Sequence, residues 1–264
     1  MKNPVTWLQG VLLLGVVILL GAFIFKPAAA PPAAKRKAVV VELFTSEGCS
    51  SCPPADALLS RMGQQTSSNG AEIIPLGFHV DYWDHQGWRD RFSSHAYTER
   101  QEQYASRFKI EGPYTPQMVV DGATEFVGND SSRAQQAVAE AAAEPEQAVI
   151  ELLGIEPGSI KLRVTSTSLE PADVVLAITE DNLMSKVAAG ENDGRELHHA
   201  AVVRELRVLG QIKERRFEPG VLAFHLPKDF QIKNLHCVVF VQQPANGKIL
   251  AAVTKPINSL PAGK

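Results

Sequence analysis

Behind its first 37 residues the chain alternates short apolar runs with stretches of helical spacing. Ala38 to Phe44 is apolar except for Glu42 and reads as a buried strand. Asp56 to about Gln65, with Ala57, Leu58 and Leu59, reads as a helix. Glu72 to Val80 predicts a second strand. Ser94 to Phe108 predicts a polar helix, because Tyr97, Gln101, Tyr104 and Phe108 recur every three or four positions. Gln117–Val120 and Thr124–Val127 flank Asp121-Gly122, a hairpin turn signal. Ser131 to Ala143 is an Ala-rich helix capped by Asp130 or Ser131. This β-α-β-α-β-β-α order ends near Glu144-Pro145.

The texture then changes. Short runs at Ala148–Leu153, Ile160–Thr165, Val174–Thr179, Val202–Leu209, Val221–Leu226, Leu235–Val241 and Leu250–Thr254 are separated mostly by turn residues. Strands of this length and spacing predict an antiparallel β-sandwich over residues 146–264. The expected organisation is therefore an α/β domain over 38–145, with an insertion at about 81–107, followed by an all-β sandwich-like domain.

The first 37 residues carry their own signal. Val5 to Phe25 is apolar enough and long enough to span a bilayer, and is also compatible with a signal peptide. A Pro/Ala spacer and Lys35-Arg36-Lys37 follow. These basic residues oppose a simple positive-inside argument for export. An acidic body behind one apolar segment nevertheless points to an extracytoplasmic, periplasmic domain, anchored to the membrane or secreted. The chain has 264 residues, 45% apolar and 21% charged, with a net charge of −3. The leader holds five basic residues and no acid, leaving 21 basic and 29 acidic residues in the body, a net −8. That balance argues against nucleic acid as a partner.

Three cysteines cannot staple a chain of this size. Two of them stand in Gly48-Cys49-Ser50-Ser51-Cys52-Pro53-Pro54, directly between the first strand and the first helix. Strand, CxxC, helix is the arrangement of a thiol–disulfide site. A free cysteine is only about 3% thiolate at pH 7, and the unpaired N–H groups of a helix N-terminus raise that fraction. Cys49 precedes the helix and is expected to be the exposed nucleophile, with Cys52 as the buried resolving thiol. Ser50 and Ser51 add hydroxyl donors. Pro53 complicates the geometry: a residue before proline avoids the α region, so the helix is expected to begin at Pro53 or Pro54.

Further motifs extend the pattern. Arg107-Phe108-Lys109-Ile110-Glu111-Gly112 leads into Tyr114-Thr115-Pro116-Gln117-Met118-Val119-Val120-Asp121-Gly122, and Val127-Gly128 precedes the last helix. With the CxxC these resemble the thioredoxin fold. The resemblance implies that Pro116 is a cis-proline facing the disulfide and that Thr115 pairs with a bound peptide. It also implies a buried carboxylate on the first strand that accepts the resolving thiol's proton, a role open to Glu42, whose alternative is a solvated strand-edge carboxylate. The stretches Val41 to Asp56, His79 to Asp84 and Tyr114 to Gly122 resemble more narrowly a family of mostly secreted bacterial proteins, a thioredoxin-like domain of unknown function.

The remaining conspicuous residues carry two readings each. His79, Asp81, Asp84, His85, Tyr82, Trp83 and Trp88 either border a substrate groove or cap the domain edge. Gly190 to His199, with Arg195, His198 and His199, is an inter-strand loop or reaches over the site. Cys237 reads as a small core hydrophobe. The leading function is an extracytoplasmic thiol–disulfide oxidoreductase acting on protein or small thiol substrates, with no cofactor beyond the Cys49–Cys52 pair and with membrane contact only through an uncleaved N-terminal segment. One alternative is a copper-handling protein using Cys49, Cys52, His79 and His85. The other is a non-catalytic binding module in which the disulfide is static.

Overall fold

The first apolar run forms strand β1 (Ala38–Thr45), buried along its whole length. The period of two divides it: Val39, Val41 and Leu43 face one core, Val40 and Phe44 another. This computed structural model describes residues 37–65, 70–227 and 229–257. The apolar run at 5–25 lies outside them, and no helix among the described residues is long and apolar enough to cross a membrane.

In chain order β1 is followed by α1 (Pro53–Gln64), β2 (Glu72–His79), α2 (His95–Phe108), β3 (Gln117–Val120), β4 (Thr124–Val127) and α3 (Ser131–Ala143). Next come β5 (Ala148–Glu156), β6 (Ser159–Ser166), β7 (Asp173–Glu180), β8 (Leu183–Lys186), β9 (Glu196–His199) and β10 (Val202–Gln211). The chain ends with β11 (Arg216–Phe217), β12 (Val221–Ala223), β13 (Leu235–Gln242) and β14 (Ile249–Pro256). The periodic segments thus formed the elements they predict. Asp121 and Gly122 take φ values of 46° and 64°, as the Asp-Gly turn between β3 and β4 requires.

The assembly of these elements overturns the expected architecture. A single eight-stranded mixed sheet runs β14-β13-β7-β10-β2-β1-β3-β4. The start of β10 lies parallel to β2, with Val202 opposite Gly77 and the Gly77 N–H donating to the Ala201 carbonyl at 2.8 Å. The sheet therefore passes straight across Pro145. An α/β thioredoxin-like domain followed by a separate sandwich is not what the chain builds; the described residues are mainly strand, with three α-helices. The reason lies in the strands themselves. Val174–Ile178 and Cys237–Val241 are continuous apolar runs, and β7 and β13 are buried on both faces. Strands of that kind belong in the middle of a covered sheet, not in a sandwich with one solvated face. Strands β5 and β6 alternate buried and exposed positions; with β11 and β12 they make a smaller sheet.

Helix α2 packs over Val40, Phe44, Leu76 and Phe78 together with Val175, Val203, Val238 and Phe240, so one core joins both halves of the chain. Helices α1 and α3 cover the other face of β1 and β3. Strands β8 and β9 stand apart as a two-stranded ribbon.

Candidate functional site

Leaving β1, the chain turns twice before entering α1. The Cys49 N–H donates to the Ser46 carbonyl at 3.2 Å, and the Cys52 N–H to the Cys49 carbonyl at 3.2 Å. These turns set the Cys49 and Cys52 Cα atoms 5.4 Å apart, and the two sulfurs form a disulfide. Cys52 is the N-cap of α1, and its carbonyl accepts from Ala55 and Asp56 at 2.8 and 3.1 Å. Its φ and ψ of −78° and −37° lie in the α region, so helix entry overrides the usual pre-proline preference. The Cys49 Sγ sits 3.4 Å from the Ser51 hydroxyl. Cys49 is not the exposed thiol expected of a nucleophile: both cysteines are 0% exposed, whereas Ser50 and Ser51 lie at the surface.

The loop after β2 ties this turn to the Thr115–Pro116 bond, which is cis. The Trp83 indole N–H donates to the Thr115 hydroxyl at 2.8 Å. Trp83 Cβ also packs so tightly on Gly48 that an added Cβ there would lie 3.1 Å from it. Gly128 packs closely on Pro116 as well: a Cβ there would lie 2.7 Å from the end of the Leu43 side chain and 3.1 Å from Pro116 Cβ. Trp83 is thus the side chain that spans the disulfide loop and the proline loop.

Glu42 lies elsewhere. It shares a strand parity with Val40 and Phe44 and points under α2, away from the face that α1 covers. Its carboxylate accepts from Arg100 Nε at 2.6 Å, Arg100 Nη2 at 3.0 Å and the Tyr104 hydroxyl at 2.6 Å. Gln242 closes the network, accepting from Arg100 Nη1 at 3.1 Å and donating to the Tyr104 oxygen at 2.9 Å. Burial alone would lower the Arg100 pKa, but the adjacent Glu42 carboxylate drives it above its ordinary value. Glu42 is neither a solvated edge group nor a neighbour of the cysteines; it is one half of a buried ion pair.

A second polar cluster, which the sequence pattern hardly signals, adjoins the disulfide loop. His79 Nδ1 and Asp90 Oδ2 are 2.6 Å apart, and Asp90 also accepts from the Glu47 N–H at 2.9 Å. Trp88 donates its indole N–H to Glu47 Oε2 at 2.7 Å. His199, from β9, lies 3.3 Å from Glu47 Oε1, with its ring edge-on to His79 at 4.9 Å. Burial by itself would lower the His79 pKa; the charge and hydrogen bond of Asp90, with Asp56 and Glu47 behind it, raise it above the ordinary value. Burial pushes Asp90 and Glu47 up, but their imidazole partners and donors win, and both stay below the usual carboxylate range. Asp56, one helical turn beyond Cys52, goes the other way: burial raises it more than His199 and His79 lower it.

The Gly190–His199 run does reach the site. Asn192, fully buried, donates from Nδ2 to the carbonyls of Glu47 and Cys49 at 2.8 and 3.0 Å. Arg195 holds the Asn192 Oδ1 at 2.7 Å, and Glu191 accepts from the Ser50 N–H at 3.1 Å. His198 is exposed and pairs with Glu196. Cys237 is buried in β13, and burial pushes its thiol up to about 12. The four residues considered for copper are not gathered: the cysteines are joined, His79 is engaged by Asp90, and His85 is exposed. Among the described residues no group of three or more His, Cys, Asp or Glu side chains is arranged to hold a metal ion.

The sequence profile of a family described as "Protein of unknown function (DUF1223)" matches residues 40–242. A crystal structure of a protein from Agrobacterium tumefaciens is similar, with a TM-score of 0.64 and 26% identity, covering 88% of this chain and 100% of that one. No curated protein matches the chain. The match over residues 40–242 spans the disulfide turn, the cis-proline loop and the Asn192 segment together, and the chain accordingly belongs to the DUF1223 family.

Proposed function

We propose that the protein is a thiol–disulfide oxidoreductase working through Cys49 and Cys52. The carrying observation is a CxxC disulfide at the entry to α1, linked through Trp83 to the Thr115–Pro116 loop. In the reduced form the Cys49 thiolate would attack a substrate disulfide and expel one substrate thiolate. The Cys52 thiolate then attacks Cys49 Sγ and expels the second, moving two electrons to the substrate and restoring the intramolecular disulfide. The reverse sequence reduces the pair at the expense of a substrate dithiol. The helix N-terminus favours the thiolate at Cys49. Protein disulfides and small thiols are the proposed substrates, and the apolar run at 5–25 together with the acidic body supports an extracytoplasmic setting.

One observation favours a second reading. Both cysteines are shielded from solvent, which suits a static crosslink. A Cys52→Ser variant expressed in cells decides between the two. An oxidoreductase accumulates mixed disulfides at Cys49, visible on non-reducing gels and removed by reductant. Absence of any trapped partner under both oxidising and reducing conditions refutes exchange and leaves the static crosslink.

A further inference from the structure

We propose that residues 190–195 form a latch over the Cys49–Cys52 pair and that Asn192 is the positioning residue holding it shut. The proposal rests on the oxidoreductase reading and says what controls that site.

The contacts are specific. Both N–H bonds of the Asn192 amide are used, one on the Glu47 carbonyl and one on the Cys49 carbonyl. Its oxygen is used by Arg195, so the amide is fixed in orientation from both ends. Glu191 adds the bond to the Ser50 N–H. Three hydrogen bonds from two adjacent residues thus clamp positions 47 to 50, the turn that presents Cys49. With the clamp in place neither cysteine is exposed, so no thiol of any size reaches a sulfur by in-line attack.

The latch is also built to come away. It is the tip of the β8–β9 ribbon, which pairs with no other strand, and an isolated two-stranded ribbon is marginal by itself. The ribbon is rooted by Ser185, Val187, Leu197 and His199, all buried. Between Ala188 and Glu196, Asn192 alone is buried. Lifting the tip therefore takes only one of its own side chains, a polar one, out of burial and breaks a few hydrogen bonds that water can replace, the signature of a segment that opens locally rather than with the whole fold.

The test is the rate at which dithiothreitol reduces Cys49–Cys52 in the folded chain, read by alkylation and mass shift. Asn192→Ala and Asn192→Asp remove the two donors and are expected to speed reduction at least ~10-fold, with no dependence on sub-denaturing urea, since the opening is local. Should the Asn192 variants fail to fold, Glu191→Ala at the surface is expected to speed reduction several-fold. Equal rates in wild type and in both Asn192→Ala and Glu191→Ala overturn the latch. The two ideas fail separately. Ready exchange in the wild type, unchanged in the variants, refutes the latch and spares the oxidoreductase. Faster reduction in the variants with no mixed disulfide trapped in a Cys52→Ser background upholds the latch and refutes the oxidoreductase.

Discussion

Replacing Glu42 with Gln tests whether that carboxylate is structural or takes part in proton transfer. Gln keeps the volume and one acceptor oxygen but removes the charge opposite Arg100. The guanidinium side chain is 10% exposed and Glu42 0%, so the remaining charge cannot recover its hydration. Removing one member of such a buried pair costs ~3–5 kcal/mol. For a protein of this length each kcal/mol lowers the melting midpoint by ~2–4 °C, so a fall of ~6–20 °C is expected. Replacing both partners, as Glu42→Leu with Arg100→Met, removes the stranded charge and should recover most of the loss. It will not recover all of it, because the Tyr104 hydroxyl and Gln242 lose partners, at ~1–3 kcal/mol per unsatisfied group. Urea unfolding followed by tryptophan fluorescence gives the free energies, and dithiothreitol reduction across pH gives the reactivity. The structural assignment is refuted if Glu42→Gln loses under ~1 kcal/mol while shifting the pH profile of thiol exchange.

Two further outcomes follow from the packing. The raised His79 pKa and the lowered Asp90 pKa stabilise the fold only while both groups are charged. The Asp90 contribution is present above its unfolded value near 3.9 and is lost as pH falls through its folded value; the His79 contribution is complete below ~6.5 and is lost as pH rises through its folded value. The groups facing His79 are Asp90, Asp56, Glu47, His199 and Phe92. Melting midpoints should therefore decline above about pH 6.5, and His79→Gln should flatten that alkaline limb; an unchanged slope in the variant contradicts the assignment. At the β3–β4 turn, a Cβ on Gly122 would lie 1.9 Å from the Gly247 carbonyl, and φ is +64°. Gly122→Ala is expected to destabilise by ~2 kcal/mol or more, measured by urea unfolding, and a neutral result would mean that the β3–β4 turn does not dock against the β13–β14 turn.

The local elements and the strand–CxxC–helix arrangement were legible in the order of residues alone. Those depend on periodicity and turn chemistry, which are written within a dozen residues: the apolar run of β1, the three-to-four spacing of α2, Asp121-Gly122, the cysteine pair. The sequence also carried a signal against the sandwich, in the unbroken apolar runs of β7 and β13, whose meaning is burial on both faces. Glu42 marks the boundary of what is legible. Strand parity groups it with Val40 and Phe44, but nothing local says that α1 covers the opposite face or that Arg100 waits beneath it. The same holds for Asn192, separated by 143 residues from the Cys49 carbonyl it binds. Which strands pair, and which loop comes to rest on the disulfide, are settled by long-range burial summed over the whole chain. Only the tertiary structure, by laying β10 against β2, brought the β8–β9 ribbon onto the cysteines.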